Sequence, residues 1–439
     1  MSAMRTMSTA VALALAAAPA LGQGAKGPQQ VVRPPVAQAW IDVATFAGMG
    51  MPMGGGASGG GAMGMLGGMF GGGQQKNTFG MTQTGSAGRY VDVTLYTSRN
   101  PNLAEALQAV PAGTQLAPTL RLMSPLESKG APVRPEDDSV DQPEYERPKG
   151  RMLLYWGCGE AVRAGQPRVV DFATAAPADF QKFFIARRAT QRGAHSAAGR
   201  PHWPSREDTR MVPAGASLVG EHGFSGQGVP DGFRFSIPAA QDLMPPIELA
   251  QRDAAGATVL EWKAIAAARA YFAAAMGAKE GAAGGRGDSA DIVFWTSSEE
   301  PDTGSGLVDY QTNAAVDRWL KERVLLAPSV TTCTVPKGIF GQGAFVRMIA
   351  YGTELNVAHP PRPADPKIAW EPQWAAKVRV KSVASAMLGM DMGAMMRGGS
   401  APAAAPPPAG EAAPKEEKKP DAVDEAAEAV KKLRGLFGR

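Results

Sequence analysis

The sequence predicts a mainly β protein: two β-sandwich-like domains with short helical insertions, plus a low-complexity insert and a disordered tail. Three observations lead there. Residues 258–263 (TVLEWK) set Leu260 and Trp262 against Glu261 and Lys263, the period-two alternation of a half-buried strand. Residues 291–296 (DIVFWT) and 345–351 (FVRMIAY) are apolar on both faces with one charge apiece, as central strands are. Residues 377–383 (KVRVKSV) alternate with their cations on one side.

From the N-terminus, Arg5 precedes an apolar run over residues 10–18, and small residues at Ala20 and Gly22 permit cleavage before Gln23. Residues 1–22 are therefore read as a signal peptide, and the chain as exported to the periplasm or envelope. Residues 31–250 form the first β-rich unit. Its strands begin at 39–46 (AWIDVATF) and 89–97 (RYVDVTLYT), which share an aromatic, aliphatic, Asp, Val order. Between them lies a Gly/Met-rich insert, residues 48–73, read as an expanded loop. Asn100 with Pro101 predicts a capped helix reaching about Val110. Residues 120–123 suggest a strand, and residues 124–150, charged and rich in proline, read as a linker or long loop.

Strands are expected again at 151–156 (RMLLYW), 168–172, 233–237 and 247–249, while 179–188 suits either strand or helix. A second unit is placed at residues 251–385. Inside it, residues 263–278 have helical propensity, yet Tyr271 to Met276 fit a strand beside Trp262, and the strand is preferred. Val316, Leu320 and Val324 predict a helix over 311–325. Residues 386–420 are a Met-rich, then Ala/Pro-rich linker. Residues 421–439 place Val423, Ala427, Val430, Leu433 and Phe437 on one helical face, an amphipathic segment suited to an envelope protein partner or an anionic membrane surface.

Trp262 on an early strand and Tyr351 on a late one make residues 250–385 resemble an immunoglobulin or fibronectin type III sandwich. The stretches 155–160 (YWGCGE), 165–172 (GQPRVVDF) and 212–223 (VPAGASLVGEHG) resemble a family of exported proteobacterial proteins of unknown function. That resemblance implies export and carries no site residue.

The chain has 439 residues, 44% hydrophobic and 20% charged, enough for one large or two ordinary cores. Its formal charge of +4 is mild for this length, and nucleic acid is a poor partner for an exported chain. The cysteines, Cys158 and Cys333, leave two readings open. One is a disulfide closing a long loop, which contributes at most about 5 kcal/mol. The other is two separate small core residues.

Catalytic motifs are scarce. No Gly-Lys dipeptide occurs, which excludes a Walker-type phosphate loop. The Gly-x-Ser-x-Gly match at 56–60 lacks a flanking strand and helix, and residues 287–289 (GDS) precede a strand where a nucleophile follows one. The four histidines, His195, His202, His222 and His359, form no helical metal pair, and Glu160 and Asp242 show no tuning partner. These features make a non-enzymatic binding or structural role the leading reading, with a hydrolase of unrecognised site third. Second is copper handling, because thioethers suit Cu(I) and recur with Met-x-Met spacing. Met49, Met51, Met53, Met63 and Met65 form one cluster, and Met387, Met390, Met392, Met395 and Met396 the other.

Overall fold

Strand formation follows the alternation just described, with β-branched and aromatic residues at the buried positions. A computed structural model describes residues 30–48, 76–125, 150–184, 187, 193–280, 290–341 and 343–389. Its strands are β1 (Ala37–Gly48), β2 (Gly88–Thr97), β3 (Glu105–Ala109), β4 (Thr119–Met123), β5 (Arg151–Trp156), β6 (Arg168–Asp171), β7 (His202–Trp203), β8 (Gly220–Ser225) and β9 (Arg234–Ile237). They continue with β10 (Ala250–Ala254), β11 (Ala257–Glu261), β12 (Ala270–Glu280), β13 (Ala290–Thr296), β14 (Thr332–Val335), β15 (Ala344–Tyr351), β16 (Leu355–His359) and β17 (Trp374–Leu388). Three α-helical pieces accompany them: α1 (Met81–Thr84), α2 (Pro177–Phe183) and α3 (Asn313–Lys321).

One 14-stranded sheet runs in the order β6-β5-β13-β12-β15-β17-β1-β2-β7-β4-β3-β8-β9, with β16 also on β17, and β10-β11-β14 form a separate three-stranded sheet. Strands from either side of the boundary expected near Arg252 pair with each other. β1 runs parallel to β17 from Ala37↔Trp374 to Gly48↔Ser385, and β5 runs parallel to β13. The middle of the sheet is thus assembled from the two ends of the described chain.

β1 and β17 are buried on both faces, so each face must be covered. One carries Ile41, Val43, Val91, Val93, Val378 and Val380 into a core shared with β4, β8, β9, β11 and β14. On the other, Ala44, Phe46, Tyr90, Phe272, Ile349 and Val383 pack against Val316 and Trp319 of α3 and against Leu307 and Val324. α3 starts at Thr312, whose side chain accepts a hydrogen bond from the Ala315 N–H, the usual N-cap. A disulfide joins Cys158, just after β5, to Cys333 on β14, and so ties the large sheet to the small one across a sequence separation of 175.

Several local expectations change. The helix predicted after Asn100 is instead a turn followed by β3, although Glu, Ala, Leu and Gln all favour helix. Partners on both edges, β4 and β8, override that propensity, and burial alternates with Ala106 and Gln108 inward. Ile247 is buried, but residues 247–249 are not a strand, and pairing begins at Ala250. Residues 179–183 belong to α2, and Tyr271 to Met276 lie within β12. Met387 is the penultimate residue of β17, since pairing with Phe345 carries the strand past the expected start of the linker. The signal peptide 1–22, nearly all of the insert and of the charged loop, most of the Met-rich linker and the segment 421–439 lie outside the described residues.

Candidate functional site

Charged side chains are rare inside a sheet protein because burying an unpaired charge is expensive. Here they concentrate on the α3-covered face. Asp42 of β1 stands directly opposite Asp92 of β2 on one side and opposite Arg379 of β17 on the other. All three are buried. Arg379 grips Asp42 through two parallel bonds, Nε to Oδ1 at 2.6 Å and Nη2 to Oδ2 at 2.5 Å, and the Ala194 N–H donates to Oδ2 at 2.9 Å. A Cβ at Gly193 would lie 1.7 Å from the Arg379 Nη2, so only glycine lets the 193–194 backbone approach the pair.

Among the described residues no cation pairs with Asp92. It accepts the Thr82 hydroxyl at 2.5 Å, the Gly80 N–H at 3.1 Å to each oxygen and the Thr82 N–H at 3.3 Å, which tethers α1 to β2. Burial pushes its carboxyl up to about 7, reinforced by the neighbouring Asp42 and only partly opposed by those hydrogen bonds.

Two residues beyond Arg379, the wholly buried Lys381 donates to Asp309 at 2.7 Å. Burial lowers the Lys381 pKa, with Asp309 opposing. Burial would raise the Asp309 carboxyl, but Lys381 and its hydrogen bond hold it below the ordinary range. The Tyr310 ring lies 4.3 Å from the Arg379 guanidinium carbon and 4.1 Å from the Lys381 Nζ, a double cation–π contact, and burial lifts its phenol far above 10.0. Nearby Arg347 donates to the Gln83 carbonyl at 3.4 Å, and burial lowers its pKa.

One rung away on the same face, Trp40 of β1 opposes Thr94 of β2, and Thr94 opposes His202 of β7. The Arg200 guanidinium carbon lies 4.7 Å from the Tyr96 ring centre and 5.6 Å from that of Trp40. Phe79 packs on His202 at 4.5 Å, and His195 on Trp40 at 5.6 Å. Burial pushes the His202 imidazole pKa down.

Chemically, the two rungs differ. Asp42 with Arg379 and Asp309 with Lys381 are mutually neutralised pairs that fix β1, β17 and the segment 309–311 before α3. Asp92 is the buried acid that exchanges a proton near neutrality. The Trp40 rung holds donors.

The residues singled out by sequence fall elsewhere. Met387 is half-buried on β17, and the remaining methionines of both clusters lie outside the described residues, as do 56–60 and 287–289. Among the described residues no group of three His, Cys, Asp or Glu is placed to hold a metal ion. Asp242 accepts the Ser217 hydroxyl and the Leu218 and Leu243 N–H groups, a turn-forming role. Glu160 is exposed. His222 is buried between Gln108 and the Leu218 carbonyl, and His359 stacks on Trp374. Asp42, Asp92 and Arg379 were not anticipated as a site. Their signal was present: an aspartate in phase with the aromatics of two similar strands, and a third strand with its cations on one side.

No protein-family model matches the chain, and no curated protein matches it.

Proposed function

We propose that this is an exported, disulfide-stapled β-rich protein of the cell envelope, with a binding or structural role. The observation that carries this reading is the Cys158–Cys333 bond between the two sheets, because such bonds persist in oxidising compartments. The leader-like residues 1–22 agree with it. In this reading residues 421–439 supply attachment to an envelope protein or an anionic membrane surface. The pairing of Asp42 with Arg379 and of Asp309 with Lys381 supports a scaffold role, since both carboxylates are neutralised by fixed cations.

The test combines fractionation with thiol alkylation before and after reduction. Protein recovered from the periplasm or envelope, beginning near Gln23 and alkylated only after reduction, is the expected result. Full-length, freely alkylated chain in the cytosol overturns the reading.

A further inference from the structure

Trp40, Thr94 and His202 line up across β1, β2 and β7, and in this row three buried polar atoms find no hydrogen-bond partner among the described residues, Trp40 Nε1, Thr94 Oγ1 and Arg200 Nη1, while the His202 ring is held by the Arg200 backbone. Trp40 is 8% exposed and Thr94 1%. Buried polar groups ordinarily have partners, so several lacking them in one row call for an explanation.

The polarity of the row identifies what is missing. An indole N–H and a guanidinium only donate, and a threonine hydroxyl can donate. His202, beside them, has an N–H donor even as a neutral ring. The two carboxylates one rung away are already engaged. Asp42 is held by Arg379 and the Ala194 N–H, and Asp92 by Thr82 and Gly80. No carboxylate pairs with Arg200 among the described residues, and its guanidinium is positioned by the Tyr96 and Trp40 rings instead. An arginine oriented by aromatic faces, with a buried N–H left over, is suited to planar recognition of an oxyanion. Tyr96, Arg200 and His202 are half-buried and His195 is exposed, so the row has a solvent-facing rim above a buried floor.

We propose that this row is a binding site for a small free oxyanion, a carboxylate, phosphate or sulfate, held by Arg200, Trp40 and Thr94 with His202 beside them. The floor is too deeply buried for a bilayer headgroup to reach while its chains stay in a membrane. The inference gives the binding role proposed above a ligand class and rests on that reading for its biological use. The two fail separately, because the anion is tested on purified protein and export is tested in cells.

Purified mature protein is titrated with sodium phosphate, sulfate or acetate at an ionic strength held constant with sodium chloride, following tryptophan fluorescence and melting temperature. At least one oxyanion is expected to give a saturable response absent with chloride. Arg200→Gln is expected to weaken that response tenfold or more. Because Arg200→Gln alone can unsettle the fold, Thr94→Val and Trp40→Phe are measured beside it. Each removes one unpartnered donor, and so should raise the melting temperature without anion while shrinking the anion-induced rise. No oxyanion-specific response, or one that is equal in wild type and all three variants, overturns the site.

Discussion

Asp42 and Asp92 face each other directly across β1 and β2, yet among the described residues only Asp42 has a guanidinium partner. Two carboxylates in one cross-strand position repel. The fold neutralises one with Arg379 and leaves the other to hydrogen bonds and, near neutrality, to a proton.

The first prediction is a pH dependence. The folded pKa of Asp92, about 7, lies above its ordinary 3.8, so its stabilising contribution is complete below about 4 and is lost as pH rises through about 7. The full difference is roughly 4 kcal/mol at 1.36 kcal/mol per unit. His202 and His222, whose pKa values burial lowers, act in the opposite sense, losing stability as pH falls. The comparison with Asp92→Asn removes them. Denaturant midpoints of that variant and wild type should diverge progressively from pH 5 to pH 8, with the variant gaining. Parallel curves would show that Asp92 does not titrate in this window.

Breaking the Asp42–Arg379 pair from one side should cost about 3–5 kcal/mol, because the remaining charge stays buried. Asp42→Asn and Arg379→Met singly, and both together, form a double-mutant cycle. The double variant is expected to lose clearly less than the sum of the singles. Additivity in urea unfolding would mean that the two groups act independently.

Gly193→Ala should destabilise by about 1–3 kcal/mol, since the added methyl collides with the Arg379 guanidinium and forces the backbone away from Asp42. Thermal unfolding checks it. Gly232→Ala, where a Cβ meets nothing within 4 Å but φ is +70°, separates backbone strain from the clash.

Removing the disulfide by Cys158→Ser with Cys333→Ser should lower stability by about 2–5 kcal/mol. Reductant should have the same effect on wild type and none on the double variant. A wild type insensitive to reductant would mean that the bond contributes nothing measurable.

Much of the secondary structure was legible in the sequence. Alternation at 258–263, continuous apolarity at 291–296 and 345–351, and one-sided cations at 377–383 each mark a strand, because side-chain period and burial are local consequences of backbone geometry. The helix at 313–321 was legible for the same reason. β3 was not. Its residues favour helix, and only two neighbouring strands supply the hydrogen bonds that reverse the preference.

The candidate site divides along the same line. The sequence by itself determined that Asp42 and Asp92 each sit in phase with aromatic residues on a strand, and that Lys377, Arg379 and Lys381 share one side of another. Only the tertiary structure decided that these strands are neighbours, because β1 pairs with β17 across more than three hundred residues, and nothing local encodes a pairing at that distance. The same assembly brings Arg200 over Trp40 and Tyr96, and leaves indole, hydroxyl and guanidinium donors buried together without acceptors among the described residues. Which polar groups end up satisfied is a property of the packed molecule, since each needs a partner that the chain supplies from elsewhere or a ligand supplies from outside.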